Sequence, residues 1–329
     1  MSDLDISVLV PSFNEEESLP ELCSWINKVM DEHNFSYEIL IIDDGSTDNQ
    51  WSVIEQLSNQ DERIKALRFK RNYGKSAALN EGFKLVEGEV VITMDADLQD
   101  SPEEIPELRR MILEDGYDIV SGWKAKRHDP LSKTIPTKLY NATTRFVTGV
   151  QLNDMNCGLK AYKNVVVKNV EVYGEMHRYI PAIAKWTGFT KIGEKPVEHQ
   201  ARKYGSSKFG LERFINGFLD LMSITFVMKF RKKPMHFFGT LGTLSFVFGF
   251  ISSFYLIAEK LYEVWVNQTP IHKVRGITEQ PLFFLALVAI IVGVQMFLAG
   301  FLGELLHLNR DRKNEYLVSE TTNIDKNNG

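Results

Sequence analysis

The sequence has very little cysteine. Only Cys23 and Cys157 occur among 329 residues, and they stand far apart without the paired spacing of a zinc site. Two isolated cysteines suit a reducing compartment. The first residues, MSDLDISVLVPS, also lack the basic region and the long apolar stretch of a cleaved signal peptide. We therefore expect the first 200 or so residues to stay in the compartment where they are made.

Other absences exclude several ligand classes. The net charge is −5, so no broad basic excess is present to neutralise the phosphates of a nucleic acid. No G-x-G-x-x-G follows the first apolar strand, which disfavours a nicotinamide or flavin site. No G-x-x-x-x-G-K-[ST] occurs either, which argues against a P-loop nucleotidase.

Two long stretches contain no Lys, Arg, Asp or Glu, at residues 237–258 and 281–303. Each exceeds the roughly 20 residues that cross a bilayer. A pair of buried core helices is the alternative, but two such runs close together favour membrane helices. The basic segments MKFRKKP and LNRDRK flank the pair on its outer sides, which predicts that both termini are cytoplasmic. The runs hold no ionisable group, so a transport pathway through them has no support.

The regions on either side of the two spans have different compositions. Residues 208–233 place apolar side chains at helical spacing, which predicts an amphipathic helix in the headgroup layer or, alternatively, one packed only on the preceding domain. The polar segment 309–329 is predicted to be a disordered cytoplasmic tail. The expected organisation is therefore a cytoplasmic domain over 1–207, an interfacial region over 208–233, a membrane domain over 234–308 and the tail.

The first domain alternates strand-like and helix-like segments. Strands are predicted over residues 6–10, 38–42, 64–69, 90–94 and 118–120, with helical patterns near 16–33, 48–59, 75–86 and 103–115. Alternation of this kind indicates an α/β fold with a mostly parallel sheet. Ligands bind such sheets at the carboxyl ends of the strands. The polar segments VPSFNEE, DDGSTD and DADLQD all follow strands, so we expect them to converge on one crevice.

The segment VVITMDADLQD ends a strand with two carboxylates. Asp95 and Asp97 are two residues apart and point the same way in an extended chain, where like charges repel. Mg²⁺ or Mn²⁺ would relieve that repulsion, with Gln99 adding an oxygen or orienting a ligand. Because Mg²⁺ usually takes one or two protein carboxylates together with substrate phosphates, the pattern predicts a diphosphate-bearing substrate. A surface loop that carries a D-x-D without a metal is the alternative.

The two other polar segments, VPSFNEE and DDGSTD, suggest a nucleotide pocket. Asp44 ends the second predicted strand and is a candidate acceptor for hydrogen bonds from a ribose or a base. Glu15 is the candidate polar contact in the first loop. The residues from Ser46 to Asp48 are better explained as a cap for the following helix.

Four ordered segments carry a resemblance to a known family. VLVPSFNEEESL, LIIDDGSTD, RNYGKSAALNEGF and MDADLQDSPEEIPEL resemble the nucleotide-sugar-binding half of a glycosyltransferase family 2 enzyme with the GT-A fold. DMNCGLKAY and ARKYGSSKF, followed by two spans, resemble the branch that transfers a sugar onto a polyprenyl phosphate. That branch includes dolichyl-phosphate mannose synthases and bacterial GtrB-type glucosyltransferases.

The resemblance implies a role for several residues. Those of the nucleotide-sugar pocket are Pro11, Phe13, Glu15, Asp44, Lys75 and Asp95, and those around the metal and diphosphate are Asp95, Asp97 and Gln99. Phe13 stands where relatives often have Tyr, and Lys75 is equally explained as a solvated lysine. The residues implied for the acceptor phosphate are Lys124, Lys126, Arg127, Arg202, Ser207 and Lys208. Attraction of these cations to anionic lipid headgroups is the alternative role, and it is compatible with binding of the acceptor phosphate.

The implied reaction needs little acid–base machinery. A phosphate monoester has a second pKa of about 6, so its oxygen is already a nucleophile at pH 7. In-line attack would invert the anomeric carbon. Asp154 is a candidate catalytic acid, although a loop carboxylate can instead bind backbone.

The expected function is metal-dependent transfer of a hexose to a polyprenyl phosphate at the inner membrane, with UDP-glucose the favoured donor. GDP-mannose or a modified or amino sugar is the alternative donor. A processive polysaccharide synthase is disfavoured, since neither its Q-x-x-R-W motif nor its additional spans are present. A non-enzymatic membrane scaffold is an alternative of a different class. A dimer or tetramer is plausible for a chain with two spans.

Overall fold

The computed structural model describes residues 4–124, 141–198, 200, 203, 234–271, 273–308 and 318–323. The predicted interfacial helix over 208–233 lies outside these ranges. The chain divides into two compact units, one formed by Met1–Thr225 with Asn314–Gly329 and the other by Phe226–Lys313.

The first unit is built on a mixed sheet. Its strands are β1 Ile6–Ser12, β2 Tyr37–Asp43, β3 Ile64–Phe69, β4 Val90–Thr93, β5 Ile119–Trp123, β6 Lys160–Lys163, β7 Ile192–Pro196 and β8 Val318–Thr322. Their order is β7-β5-β6-β4-β1-β2-β3-β8. Only β6 and β8 run antiparallel to their neighbours within the described strands. The predicted α/β class and the mostly parallel sheet are confirmed.

Helices follow most of the parallel strands. They are α1 Leu19–Glu32, α2 Gln50–Gln60, α3 Lys75–Leu85, α4 Ile105–Leu113, α5 Asn164–Asn169 and α6 Ile180–Thr187, and residues 141–148 are also helical. In α1 the residues Leu22, Ile26 and Met30 recur every four positions and are fully buried, so one apolar stripe faces the sheet. Strands β1, β2 and β4 are buried along almost their whole length, as expected when helices cover both faces of a parallel sheet.

The last strand differs from the sequence expectation for the tail. Residues Val318–Thr322 pair antiparallel with β3, whereas the whole segment 309–329 was predicted to be disordered. The Asn323 side-chain amide also donates to the carbonyls of Ser58 and Ile64, each at 3.0 Å. An edge strand is held by its backbone hydrogen bonds, so its polar composition gave no signal of this pairing.

The second unit contains two long apolar helices, α7 Pro234–Trp265 and α8 Pro281–Leu308. Their most apolar windows have a mean hydropathy of 1.8 and 2.7, and only 17% and 11% of those windows is buried. A core helix of a soluble protein would be mostly buried, so both are candidate membrane spans. The helices approach closely, since a Cβ on Gly249 would lie 2.6 Å from the carbonyl oxygen of Ala286. Ser245 Oγ adds a hydrogen bond to the Ala289 carbonyl at 2.9 Å.

A buried carboxylate ties the amino-terminal ends of the central strands together. Glu38 on β2 is 2% exposed and accepts hydrogen bonds from Ser7 Oγ on β1 and from the Glu87 amide at 2.8 Å. Lys65 on β3 lies 2.9 Å from its other oxygen. Three strands and the turn before β4 therefore depend on one side chain.

We predict that Glu38→Ala destabilises the protein by about 1–3 kcal/mol, because it leaves the Ser7 hydroxyl without its acceptor and leaves Lys65 with only Glu87, 3.6 Å away. Thermal unfolding of the full chain in detergent measures the change. The control is Glu32→Ala, which removes one partner of an exposed ion pair with Lys28 and should change stability little. Equal melting temperatures for the two variants would contradict the prediction.

Candidate active site

Three predicted site segments meet at the carboxyl edge of adjacent strands. Strand β1 lies between β4 and β2, with Leu9 opposite Thr93 and Ser12 opposite Asp43. Pro11, Asp44 and Asp95 therefore stand at or just beyond the same edge of the sheet. The predicted crevice is formed by residues far apart in the sequence.

The Asp95 carboxylate lies against the backbone of the segment that leads into β6. A Cβ on Gly158 would be 2.5 Å from Asp95 Oδ2, so only glycine leaves room for the carboxylate here. Thr93 Oγ1 donates to the Gly158 carbonyl at 3.0 Å and fixes this approach. The position of Asp95 thus depends on the antiparallel strand that follows 65 residues later in the chain.

Lys75, the first residue of α3, forms an ion pair with Asp95. Desolvation disfavours the ionised carboxylate, but the charge and hydrogen bond of Lys75 and more distant lysine charges outweigh it and lower the pKa of Asp95. The Lys75 ammonium is therefore not directed only to solvent, and it lies at the same edge of the sheet as Asp95.

Asp97 and Gln99 follow in a tight turn. The Gln99 amide donates to Asp97 Oδ1 at 3.2 Å, and Leu98 between them has a φ of 59°. A left-handed conformation is costly for a leucine, but this side chain is buried in the core and anchors the turn. Strained backbone of this kind clusters at functional sites.

The oxygen ligands fit a divalent cation that is shared with a substrate. Among the described residues, no group of three or more His, Cys, Asp and Glu side chains is arranged to hold a metal. Asp95 and Asp97 nevertheless supply two hard carboxylates at one strand end. Mg²⁺ is commonly held by one or two carboxylates with phosphate oxygens completing its shell, so this donor set suits a metal that binds with a diphosphate.

Asp44 is the buried carboxylate of the second turn. It is 4% exposed, and its oxygens accept hydrogen bonds from the amides of Tyr73 at 2.7 Å and Gly74 at 2.8 Å. Burial raises the pKa of Asp44 to about 6 despite these two bonds. Each carboxylate oxygen has a second lone pair, so Asp44 retains capacity to accept from a nucleotide.

The first two loops are joined by side chains. Asn14 Oδ1 accepts from the Thr47 amide at 2.8 Å, and Ser46 Oγ accepts from the Asn14 amide at 2.9 Å. The Glu15 amide donates to Gln50 Oε1 at 2.8 Å, while its carboxylate accepts from Ser18 Oγ at 3.1 Å. Ser46 thus connects the two loops. Asp48 Oδ1 accepts from the Gln50 amide at 3.1 Å, but the N-cap residue of α2 is Asn49 and it makes no side-chain capping hydrogen bond, so the cap expected from Ser46 to Asp48 is not observed.

Phe13 is half-buried in the same loop as Glu15. Pro11 lines a cavity beside Asp95, and Phe13 follows β1 in the same loop. That these two residues contact a nucleotide, as the resemblance implies, stays a prediction.

Asp154 lies away from solvent. It is 1% exposed, its Oδ1 accepts from the Asn156 amide at 3.1 Å, and its own amide donates to Glu194 Oε1 at 2.9 Å. These contacts favour the interpretation in which Asp154 shapes the loop before β6.

Lys124 is the one predicted acceptor residue within the described ranges, and its ammonium lies 3.1 Å from Asp100 Oδ1. Burial disfavours the charge of Lys124, but Asp100 outweighs that effect and raises its pKa. The remaining predicted acceptor residues, Lys126, Arg127, Arg202, Ser207 and Lys208, lie outside the described ranges.

A cavity beside Asp95 brings in residues that sequence reasoning missed. Its polar walls include Lys160 and Tyr162 of β6, with His177 and Arg178 of the 3₁₀ turn Met176–Tyr179. The available signal was a lysine inside the short strand KAYK, where a charged side chain is unusual. His177 and Arg178, just before a helix, gave no comparable signal.

The comparisons with known proteins agree with this architecture. The sequence profile described as glycosyl transferase family 2 matches residues 7–170. The dodecaprenyl-phosphate galacturonate synthase of Rhizobium johnstonii is 32% identical over 326 residues, which are 97% of this chain and 94% of that protein. The undecaprenyl-phosphate 4-deoxy-4-formamido-L-arabinose transferase of Shewanella sediminis is 35% identical over 303 residues, covering 91% and 86%.

Among solved structures, the glucosyl-3-phosphoglycerate synthase of Mycobacterium tuberculosis in complex with UDP superposes with a TM-score of 0.53 at 17% identity. The superposition covers 69% of this chain and 80% of the synthase chain. This likeness supports the GT-A fold. The first unit therefore has the GT-A fold with acidic residues after its fourth strand. The chain belongs to glycosyltransferase family 2. It is a glycosyltransferase whose relatives include enzymes named for polyprenyl-phosphate sugar products.

We predict that Gly158→Ala lowers transfer activity by about 100-fold, because the new methyl group displaces the Asp95 carboxylate and misplacement of about 1 Å costs that much. The control is Gly193→Ala on β7, whose Cβ would meet the Tyr117 ring at 2.8 Å, away from Asp95. Initial rates and melting temperatures of both variants measure the effect. Equal loss of activity in the two variants would show that packing strain alone is responsible.

The raised pKa of Asp44 predicts a pH-dependent stability. The native carboxyl holds its proton to about pH 6, whereas the unfolded one releases it near the ordinary value of 3.8. The native state therefore binds more protons between these values, and its contribution to stability falls as the pH rises. Asp44→Asn removes this contribution. We expect the stability of the wild type minus that of the variant to decrease from pH 4 to 6 and to level off above 7, measured by chemical unfolding. A flat difference curve would contradict the assignment.

Proposed function

We propose that this chain transfers a sugar from a nucleotide-sugar donor to a polyprenyl phosphate, in a reaction that requires Mg²⁺ or Mn²⁺ and inverts the anomeric carbon. The observation that carries the proposal is that Asp95 and Asp97 follow β4 and Asp44 follows β2, so that all three lie at the same edge of the sheet on either side of β1. The acceptor follows from relatives named for dodecaprenyl and undecaprenyl phosphate that align with nearly the whole chain.

The donor side is assembled from described residues. Asp44 accepts from the nucleoside, with Pro11, Phe13 and Glu15 forming the wall next to it. Asp95 and Asp97 would hold the divalent cation, with Gln99 beside them. When bound, that cation supplies positive charge that stabilises the departing nucleoside diphosphate. Lys75 keeps Asp95 ionised and in place.

The acceptor needs binding rather than activation. Its phosphate is largely ionised at pH 7, so the attacking oxygen needs no general base. Lys124 and the cations at positions 126, 127, 202 and 208, with Ser207, would hold this phosphate in line with the anomeric carbon. Asp154 then acts by shaping the loop before β6 rather than as an acid.

The two candidate spans fit a lipid acceptor. Each CH₂ of a lipid that is exposed to water costs about 0.8 kcal/mol, so the acceptor stays in the bilayer and the enzyme must work at its surface. We propose that α7 and α8 anchor the chain in the inner membrane, with the catalytic domain and both termini on the cytoplasmic side. Association into a dimer or tetramer is compatible with this arrangement.

The sugar is the finer part of the proposal. UDP-glucose is the donor that the family resemblance favours, and GDP-mannose or a modified sugar is the alternative. The relatives are themselves named for galacturonate and for 4-deoxy-4-formamido-L-arabinose, which supports a modified sugar.

The test is incubation of the purified full chain with polyprenyl phosphate and a panel of labelled nucleotide sugars, followed by extraction of the lipid. We expect a lipid-linked product that disappears with EDTA and returns with Mg²⁺ or Mn²⁺. Asp97→Ala should lower the rate by at least about 100-fold, because a charge-stabilising group is lost. The control is Asp31→Ala, which removes a carboxylate that is 62% exposed at the end of α1. A rate unchanged in Asp97→Ala, or no product with any donor, would reject the proposal and favour a membrane scaffold.

A further inference from the structure

The cavity beside Asp95 contains a lysine in the middle of the sheet. Lys160 lies on β6, opposite Thr93 of β4 on one side and opposite Ser121 of β5 on the other. Its side chain is enclosed by protein, with the residue only 4% exposed. Its ammonium donates to the Cys157 carbonyl. Lysine is among the residues that are almost never fully buried without an ionic partner.

The charges that face the cavity are mostly positive. Lys75, Lys160 and Arg178 line it, and Asp95 is the lining carboxylate. Asp95 already pairs with Lys75. Within the described ranges, no carboxylate lies within 4.0 Å of the side-chain nitrogens of Lys160 or Arg178. Burial lowers the pKa of Lys160, and the more distant charges of Asp154 and Asp95 offset this only in part. Burial of an ammonium is unfavourable unless a nearby anion compensates it.

His177 adds a hydrogen-bond donor rather than another charge. Its backbone amide donates to Ser76 Oγ at 3.0 Å, and its Nδ1 lies 3.2 Å from the same hydroxyl. Burial, with the nearby Lys75 charge, lowers the pKa of His177 well below its usual range. The ring is therefore neutral and carries one N–H donor. The polar groups of the cavity are thus mainly donors.

Asp95 lines the cavity, and the proposed function places the donor diphosphate at this carboxylate. The enclosed space is only about 20 Å³, so the group attached to the diphosphate would lie at its mouth, against Lys160 and Arg178. The group attached to that diphosphate is the sugar. A neutral hexose would bring hydroxyl groups that leave the lysine and arginine charges uncompensated, whereas a sugar carboxylate would bring the missing negative charge and form charge-assisted hydrogen bonds.

We propose that the donor is a nucleoside-diphosphate hexuronate and that Lys160 and Arg178 bind the carboxylate of its sugar. This proposal rests on the proposed function, because it takes the cavity to be the sugar site of that reaction. Lys160 and Arg178 are then specificity-determining residues, and β6 carries both the wall of the cavity and the charge that selects the donor.

The first experiment compares matched donors with the wild-type full chain. The pairs are UDP-glucuronate with UDP-glucose, UDP-galacturonate with UDP-galactose, and GDP-mannuronate with GDP-mannose, each with the same polyprenyl phosphate and Mg²⁺. We expect kcat/KM for one uronate to exceed that of its neutral partner by about 100-fold, since a site built for a polar group rejects the analogue that lacks it. A wild-type preference for the neutral member of the best pair would overturn the proposal.

The second experiment replaces the proposed ligands. Lys160→Met keeps the length of the side chain without its charge, and Arg178→Gln removes the charge with a shorter polar side chain at a partly exposed position. Both should lower kcat/KM for the uronate while leaving that of the neutral hexose within about threefold, so that the preference collapses. The control is Lys163→Met on the same strand, where the ammonium lies 3.3 Å from Asp118. It should leave the preference unchanged.

Two further results distinguish the sugar carboxylate from the diphosphate as the anionic group that Lys160 binds. If Lys160 served the diphosphate, Lys160→Met would weaken both donors and UDP itself equally, and that outcome would overturn the proposal. If no donor yields a lipid-linked product, calorimetry measures the binding of each donor to the protein instead. Tighter binding of the uronate than of its neutral partner, lost in Arg178→Gln, would then support the sugar site although the proposed transfer failed. Equal binding would reject the sugar site as well.

Discussion

The site depends on one carboxylate that is held at a fixed place where the sheet ends. Asp95 follows the short strand β4, and its oxygens lie so close to the Gly158 backbone that no larger residue fits there. The Lys75 ammonium compensates its charge from the first turn of α3. Because β4, β1 and β2 are adjacent and parallel, this position also determines how far Asp95 lies from Asp44. The order of the strands and the Lys75 ammonium thus limit the electrostatic repulsion between the carboxylates at this edge.

Much of this arrangement is contained in local sequence patterns. The alternation of apolar strands and amphipathic helices predicts a parallel sheet, and polar turns after strands predict a crevice at its carboxyl edge. That reasoning located Asp44, Asp95 and Asp97 correctly at the edge. It succeeded because parallel strands must carry their carboxyl ends on the same side, whatever the order of the strands.

The remaining parts depend on contacts that no local pattern contains. Strand β6 is four residues long and enters between β4 and β5 against the direction of both, so its register with Thr93 is set by tertiary packing. Lys160 was missed for that reason, since its chemistry follows from what surrounds it. The pairing of β8 with β3 is a second case, because the residues involved are polar and distant in sequence. His177 is a third, since its link to Ser76 spans 101 positions.

Strand β6 couples the stability of the fold to the chemistry of the site. Its backbone completes the sheet next to β4, the glycine before it admits the Asp95 carboxylate, and Lys160 adds a buried charge within the same few residues. Interactions on α3 are different, because Lys75 is about one-third exposed and reaches the carboxylate from the side. A residue larger than glycine at position 158, or a break in the pairing of β6 with β4, therefore alters folding and function together, whereas a change at Lys75 alters the charge around Asp95 and leaves the sheet intact. The segment that includes β6 positions Asp95, and α3 supplies the lysine charge that compensates it, so the two effects can be altered separately.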